Sequence, residues 1–253
     1  MTDSESNPVL TCMSAHRTYR DFKAEPVSDE AIARAVRAAQ QAATSSWIQA
    51  YRLLQITRPE ERDALARLAS DQVQIRQAGA FFVICADTTR HRIVLADAPA
   101  SDPPQAYAHN LEAFLTSSLD ATLFAQNLVL AFESMGYGTC YIGAVRNDVA
   151  GVAKVLEFPQ GIYPLFGLCV GTPASDPGQR PRLPLESVWN RDRVASDAQQ
   201  REHIPAADSV SKDYYATRGQ AQRSWSGGIL RRFNHLEREA LRGAYEALGA
   251  SFD

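Results

Sequence analysis

The sequence has little net charge, few cysteines and no long uninterrupted apolar run. Its 253 residues carry a formal net charge of -3 at pH 7, whereas a dedicated nucleic-acid-binding chain usually has a strong basic excess. A membrane-spanning helix needs about 20 apolar residues, and the most apolar stretch, 158–175, is broken by three prolines and three glycines. The start, MTDSESNPVL, lacks the basic and apolar regions of a signal peptide. We therefore expect a cytoplasmic protein that binds neither nucleic acid nor a membrane.

The four cysteines, Cys12, Cys85, Cys140 and Cys169, stand apart from one another among apolar neighbours. They form no C-x-x-C pair, and the five histidines do not cluster with them, so the sequence predicts neither a zinc site nor a disulfide framework. We expect buried thiols in a reducing compartment and no bound metal.

The hydrophobic periodicity predicts more helices than strands, without the regular alternation of a doubly wound sheet. The predicted strands are 51–57, 79–86, 140–142 and 165–170. The predicted helices are 9–16, one starting at Ser28, 59–69, 105–116, 119–135, 148–156, 207–218 and 228–248. Helix 119–135 is apolar nearly all round, so we expect it to be buried on every side, with Asp120, Gln126, Asn127 and Glu133 as its polar exceptions. Residues 172–209 contain five prolines and predict a long loop, either a disordered linker or an arm lying across another subunit.

Four polar clusters are candidates for a binding site. They are His16, Arg17, Thr18 and Arg20; Thr44, Ser45, Ser46 and Gln49, with Trp47 among them; Gly143; and Arg180 with Arg182. In the first cluster, helical spacing would put the cations on one face, where they either hold a phosphate or simply complement a helix C-terminus. The hydroxyls of the second either cap a helix or, beside Trp47, form a place where a ring stacks. Gly143 is either a turn glycine or a point of close approach to a flat ligand, and the arginines around Pro181 either face one point or are solvated.

No pattern for a catalytic triad, a Walker A loop, an H-E-x-x-H metal site or a G-x-G-x-x-G dinucleotide turn occurs. If the chain is an enzyme, a cofactor therefore supplies its chemistry.

Five segments in order resemble the FMN-dependent nitroreductase superfamily. They are HRTYRDFKAEPV, AATSSWIQA, AQNLVLAFESMGYGTCYIG, PLFGLCVGTP and RPRLP, and the tail YYATRGQAQRSWS is similar to its NADPH-preferring, oxygen-insensitive nitroreductase and NADPH-flavin oxidoreductase branch. The resemblance covers nearly the whole chain. It implies an α+β fold with a central mixed, mostly antiparallel sheet flanked by helices, built as an intertwined homodimer. It also implies that residues 1–171 form the FMN-binding core, and that 172–253 form an arm and helices completing the dimer and the NADPH site.

The resemblance also implies the roles of individual residues. The FMN-binding set would be His16, Arg17, Thr18, Arg20, Thr44, Ser45, Ser46, Gln49, Gln72, Tyr141, Ile142, Gly143, Ala144, Arg180 and Arg182. Arg218 and Arg223 would bind the 2′-phosphate of NADPH, and Ser46, Trp47 and Arg238 would line the substrate face. Ala144 replaces the family's second glycine, and Arg180 replaces a lysine, which keeps the charge and changes the geometry.

The activity implied is an NADPH-oxidising, two-electron reduction of nitroaromatics, quinones or similar small acceptors. It would follow a ping-pong course in which the hydride passes through flavin N5 and no side chain is catalytic. Two alternatives stay open: a flavin reductase that supplies reduced FMN to a partner, and a non-catalytic flavin-binding sensor.

Overall fold

A computed structural model describes residues 7–99, 110–234 and 238–252. The chain divides into two compact units. The first comprises the residues up to Pro177 together with those from Arg238 onward, and the second comprises Gly178–Glu237. The division between core and arm expected from the sequence, at 171 and 172, stays a prediction.

The first unit is built on a four-stranded antiparallel sheet in the order β1-β2-β4-β3. The strands are β1 (Tyr51–Gln55), β2 (Ala80–Asp87), β3 (Gly138–Ile142) and β4 (Ile162–Gly171). All eight residues of β2 are buried, as expected for a central strand covered on both faces. Each strand falls on a segment predicted from its apolar pattern, although β4 begins three residues earlier because Ile162 and Tyr163 are also buried against the core.

The N-terminal segment adds a parallel element at the open edge of β3. Thr18 forms an isolated parallel bridge with Thr139, so the pairing is mixed and mostly antiparallel. Together with the helices on the sheet, this confirms the predicted α+β class.

Helices surround this sheet. Those of the first unit are α1 (Pro8–Ser14), α2 (Asp29–Ala39), α3 (Pro59–Leu68), α4 (Gln74–Gln77), α5 (Thr89–Ala96), α6 (Leu111–Ser134), α7 (Val149–Val155) and α11 (Leu241–Ala247). Ser28 caps α2 by accepting a hydrogen bond from Ala31 N, as its sequence indicates. The short helices α4 and α5 were not predicted.

Helix α6 corrects two predictions. Separate helices at 105–116 and 119–135 were expected, but one helix runs through their junction; residues 105–109 lie outside the described part. The Ser117 hydroxyl bonds back to Ala113 O at 2.7 Å, so this polar residue is satisfied inside the helix and need not end it. The helix is also not buried on every side. Leu111, Leu115, Leu119 and Leu123 are 47–55% exposed and lie on one line along α6, because residues four apart share a face.

The core lies on both faces of the sheet. On one face α6 and α2 pack on β1 and β2, with Tyr51 stacked on Phe124 at 4.5 Å between ring centroids. On the other face α3 and α7 cover the opposite side chains, including Cys85, Cys140 and Cys169. These three cysteines are buried, Cys12 is half-buried, and all four are free thiols.

The second unit contains helices α8 (Leu185–Val188), α9 (Asp197–Ala216) and α10 (Trp225–Phe233). The long loop predicted for 172–209 is wrong from Asp197 onward, because Ser196 and Gln199 form a reciprocal capping box that starts α9. Pro205, one of the five prolines from which the loop was predicted, lies inside this helix.

The predicted helix 228–248 is also wrong. It is two helices, α10 and α11, which belong to different units. Asp208 fixes the start of α10 by accepting hydrogen bonds from Ser226 N at 2.8 Å and Ser226 Oγ at 2.6 Å. In the part of the chain that the structure describes, no helix is long and apolar enough to cross a membrane.

Candidate functional site

The segment from His16 to Arg20 runs beside the edge strand β3. Helix α1 ends at Ser14, earlier than predicted, and Tyr19 N donates to Thr139 O at 2.9 Å. The cations therefore do not share a helical face, because the backbone here pairs with a strand. The Tyr19 ring covers Gly138, where an added Cβ would meet Tyr19 Cγ at 2.7 Å. A glycine at 138 is thus required for the segment to approach β3.

A buried carboxylate organises this edge. Glu133, near the end of α6, has Oε1 at 2.8 Å from His16 Nδ1 and accepts a hydrogen bond from Thr139 Oγ1 at 2.7 Å. Its side chain is only 9% exposed. Its second oxygen, Oε2, is buried and has no hydrogen-bond partner among the described residues. A ligand hydroxyl or N–H group at this point would satisfy it.

The two arginines of the segment place positive charge at the same edge. Arg17 Nε lies 3.1 Å from Asp176 Oδ1. The residue also lines a cavity of about 550 Å³ together with Tyr19, Glu133 and Tyr137. Arg20 is exposed, and its charge partly offsets the burial that raises the pKa of the Cys140 thiol on β3.

Strand β3 ends at Tyr141 and Ile142, and Gly143 and Ala144 begin a 3₁₀ turn that runs to Asn147. Burial raises the pKa of the Tyr141 hydroxyl, and the charge of Glu133 raises it further, so this phenol stays protonated. An added Cβ at Gly143 would meet, among the described residues, only Arg146 Nη2, at 3.5 Å. The backbone at Gly143 is therefore accessible to a ligand.

Asn147 connects this turn to Arg238 and to the loop that contains Gln72, and both Arg238 and Gln72 are predicted site residues. Its Nδ2 donates to Ser70 Oγ at 2.9 Å, and its Oδ1 accepts from Arg238 Nε at 3.0 Å. Ser70 and Asp71 have positive φ angles of 62° and 52°, a strained conformation for residues other than glycine. Gln72 follows them and accepts a hydrogen bond from Gln74 Nε2 at 2.6 Å. The fold thus gathers the Ser70–Gln72 loop and Arg238 at the end of β3.

The Thr44–Gln49 loop is strained and held from two sides. Ser46, Trp47 and Gln49 have φ values of 47°, 59° and 52°. The Asp120 carboxylate accepts hydrogen bonds from Ser45 N at 2.8 Å and Ala50 N at 3.0 Å.

Helix α5 holds the carbonyl groups of the same loop. Arg90 Nη2 donates to Gln49 O at 3.0 Å, and His91 Nε2 lies 2.8 Å from Ile48 O. Although its backbone is held in this way, Trp47 is 83% exposed. The loop therefore presents a large flat side chain on a fixed backbone.

The loop and the β3 edge lie at different points along α6. Their anchors, Asp120 and Glu133, are thirteen residues apart on this helix, which corresponds to about 20 Å along its axis. Within one chain, the structure brings together the residues around β3 but does not bring Thr44–Gln49 to them.

The remaining predicted residues lie in the second unit. Arg180 and Arg182 are exposed, and Arg182 Nη1 donates to Arg180 O at 3.0 Å. Arg218 and Arg223 follow the C-terminal end of α9, where their guanidinium groups lie over Tyr214 and Tyr215.

The sequence reasoning did not assign roles to Asp120, Glu133 or Asn147. The sequence does indicate roles for Asp120 and Glu133, because an isolated carboxylate in an otherwise apolar helix is rarely buried without a partner. Asn147 carried no such signal, since asparagine is ordinary in a turn.

The fold and this candidate site define an α+β protein with cationic side chains beside its edge strand β3. The chain belongs to the nitroreductase family: the family model matches residues 13–172, and the model of the family's C-terminal domain matches residues 180–253. It is 37% identical over 228 residues to the FMN reductase (NADPH) of Bacillus subtilis, covering 89% of this chain and 90% of that one. It is 34% identical over 227 residues to the oxygen-insensitive NADPH nitroreductase of Salmonella typhimurium, with 89% and 90% covered. A solved nitroreductase structure from B. subtilis superposes with a TM-score of 0.90 at 35% identity, covering 96% of this chain and 98% of that one.

Proposed function

We propose that this protein is an FMN-dependent oxidoreductase that oxidises NADPH and reduces nitroaromatics, quinones or similar small acceptors by two electrons in the cytoplasm. The observation that carries the proposal is the assembly of His16–Arg20 and Tyr141–Ala144 along one strand edge in a chain of this family. The names of the relatives from B. subtilis and S. typhimurium support NADPH as the reductant.

The donor set at the β3 edge fits a flavin phosphate. Arg17 and Arg20 supply charge-assisted donors for a phosphate, and the Thr18 hydroxyl is a further donor. Glu133 Oε2 supplies a buried acceptor without a protein partner in the described residues, which suits the hydroxyl groups of a ribityl chain. The roughly 550 Å³ cavity between Arg17 and Glu133 gives such a chain room.

The residues of this chain would bind and orient FMN and the substrates, and none of them would transfer a proton. FMN, when bound, supplies the two-electron chemistry between NADPH and the acceptor. Gly143 and Ala144 would let the ring approach the backbone, with Tyr141, Ile142 and Gln72 beside it. Positive charge beside the ring would favour negative charge on it, because a fixed cation stabilises a developing anion.

A second copy of the chain would complete the site. The strained Thr44–Gln49 loop lies about 20 Å along α6 from the β3 edge, so we infer that it contributes Ser45 and Ser46 to the partner's FMN. The second copy would cover the exposed leucines of α6, which are Leu111, Leu115, Leu119 and Leu123. Trp47 and Arg238 would then line the acceptor side, and Arg180 and Arg182 would add charge near the phosphate.

Flavin reduction is the second candidate activity, because the B. subtilis relative is named an FMN reductase. The two activities differ in whether FMN leaves as product or stays bound while another acceptor is reduced. The non-catalytic sensor differs from both, because it would not oxidise NADPH in steady state.

The first prediction concerns cofactor and activity. We expect the purified protein to be yellow, to release FMN and not FAD on denaturation, and to oxidise NADPH in steady state when a nitrofuran or quinone is added. Free FMN as the acceptor, assayed beside them, separates the flavin reductase from the nitroreductase. A colourless protein that takes up no added FMN contradicts the proposal, and a yellow one that does not turn over NADPH with any acceptor is the sensor.

The second prediction concerns Arg20→Ala. Loss of one charge-assisted contact should weaken FMN binding by about 1.5 to 3 kcal/mol, roughly ten- to a hundredfold, while the chain still folds because Arg20 is exposed. Flavin fluorescence titration of the apoprotein measures the change. Arg37→Ala, at an exposed arginine in the last turn of α2, is the matched control and should bind FMN as wild type does. If R20A holds FMN as tightly as R37A, Arg20 does not contact the cofactor.

A further inference from the structure

Tyr214 and Tyr215, near the end of α9, lie beneath Arg218 and Arg223. The family resemblance implies that these arginines bind the 2′-phosphate of NADPH. Arg218 Cζ is 3.8 Å from the centroid of the Tyr214 ring, and Arg223 Cζ is 5.9 Å from that of Tyr215. The tyrosine rings meet edge to face, with 5.3 Å between their centroids and 77° between their planes. Both arginines are exposed and both tyrosines are half-buried. Two surface cations are thus each held over a ring that is anchored in the protein.

Arg218 is fixed by more than its ring contact. Its Nη1 donates to Tyr214 O and to Thr217 Oγ1, each at 3.0 Å. Gly178 has a φ of 69°, and an added Cβ there would lie 2.8 Å from Arg218 Nη2. A side chain at 178 would therefore displace the guanidinium from its place over Tyr214.

Stabilisation of the helix end accounts for only part of this arrangement. A cation near a C-terminus complements the helix dipole, which explains the bond from Arg218 to Tyr214 O. It requires neither a guanidinium placed over a ring nor a second arginine over the next ring. The rings hold the guanidinium groups in position, and a guanidinium presents N–H donors in a fork that matches two phosphate oxygens.

We propose that Tyr214, and more weakly Tyr215, are positioning residues that hold Arg218 and Arg223 for the 2′-phosphate of NADPH and so set its preference over NADH. This inference rests on the proposed function. The tyrosines would act through the arginines, because a side chain held in its binding geometry loses less conformational freedom when the phosphate arrives. Tyr214 should matter more, because a cation–π contact weakens toward about 6 Å from the ring centroid.

The test compares NADP⁺ and NAD⁺ binding to the FMN-loaded protein by isothermal titration calorimetry, with KM values for NADPH and NADH alongside. Tyr214→Leu should raise the Kd for NADP⁺ about threefold to thirtyfold, the range that cation–π contacts span, and leave the Kd for NAD⁺ unchanged. Tyr214→Phe keeps the ring and should restore wild-type affinity. Gly178→Ala, which disturbs Arg218 while Tyr214 stays in place, should weaken NADP⁺ binding selectively as well.

Trp189→Leu is the matched control, since it removes a cation–π contact to Arg191 at 5.3 Å elsewhere in the same unit and should change neither affinity. If Arg218→Ala weakens NADP⁺ selectively while Y214L stays within twofold of wild type, the positioning role is wrong and the 2′-phosphate site stands. Equal weakening of NADP⁺ and NAD⁺ by Y214L also overturns the positioning role. A wild-type protein that neither oxidises NADPH nor prefers NADP⁺ overturns the proposed function, and this inference with it.

Discussion

Leu119→Arg is expected to prevent the proposed dimer from forming and to abolish FMN binding. Leu119 is the most exposed of the four leucines on the outer line of α6, at 55%. An arginine in the middle of an apolar interface would be buried without a partner, and such burial costs several kcal/mol. Within one chain the substitution should be tolerated, because the side chain already faces away from the core. The mass from light scattering at micromolar concentration and the ratio of flavin to protein absorbance measure the two effects together.

The control is Leu119→Met, which keeps the apolar character and approximate volume and should leave both mass and flavin content unchanged. A Leu119→Arg protein that remains dimeric shows that the interface lies elsewhere. One that becomes monomeric yet keeps its flavin shows that the partner's Thr44–Gln49 loop is not needed for FMN binding. The two measurements therefore test the interface and the shared site separately.

Asp120→Ala is expected to destabilise the chain by about 3 to 5 kcal/mol, because it removes two charge-assisted hydrogen bonds and leaves their N–H donors unpaired. The carboxylate is 1% exposed and is the anchor for Ser45 N and Ala50 N at opposite ends of the strained loop. Its removal takes away two hydrogen bonds that offset the strain at Ser46, Trp47 and Gln49. Urea denaturation of the apoprotein measures the stability, and steady-state NADPH oxidation should fall as well.

Asp120→Asn retains one oxygen acceptor in the same space, so its loss of stability should be about half that of the alanine variant. Thr122→Ala, at an exposed position two residues along α6, removes a hydroxyl without touching the loop and serves as the control. If D120A and T122A unfold at the same urea concentration, Asp120 is not the anchor of this loop.

The strands were predicted well because their signal is local. A continuous apolar run such as 79–86 is buried on both faces whichever elements cover it, so β2 falls where the pattern indicates. The start of α2 is equally local, because a serine followed by two acidic residues satisfies the first turn of a helix by itself.

The failures occurred where a long-range contact overrides the local signal. The spacing of His16 to Arg20 indicates the end of a helix, but α1 already ends at Ser14, and Tyr19 N donates to Thr139 O, more than a hundred residues away. The prolines of 172–209 predict a loop where α9 begins, but a hydrogen bond from Ser226 N to Asp208 holds this helix against α10. Neither partner can be identified from a window of sequence, because the pairing depends on the chain folding back.

By itself the sequence determined the α+β class, the strands of the sheet, the burial of three of the four thiols and the clusters of cationic and hydroxyl side chains. These features follow from composition, periodicity and the order of motifs, which can be read from residues that are close together in the sequence. Only the tertiary structure decided which clusters meet. It joined His16–Arg20 to β3 through Glu133, and it placed the Thr44–Gln49 loop about 20 Å away through Asp120. The physical reason is that both carboxylates lie on one continuous helix, whose rise per residue fixes the distance between the two anchors whatever the loops contain.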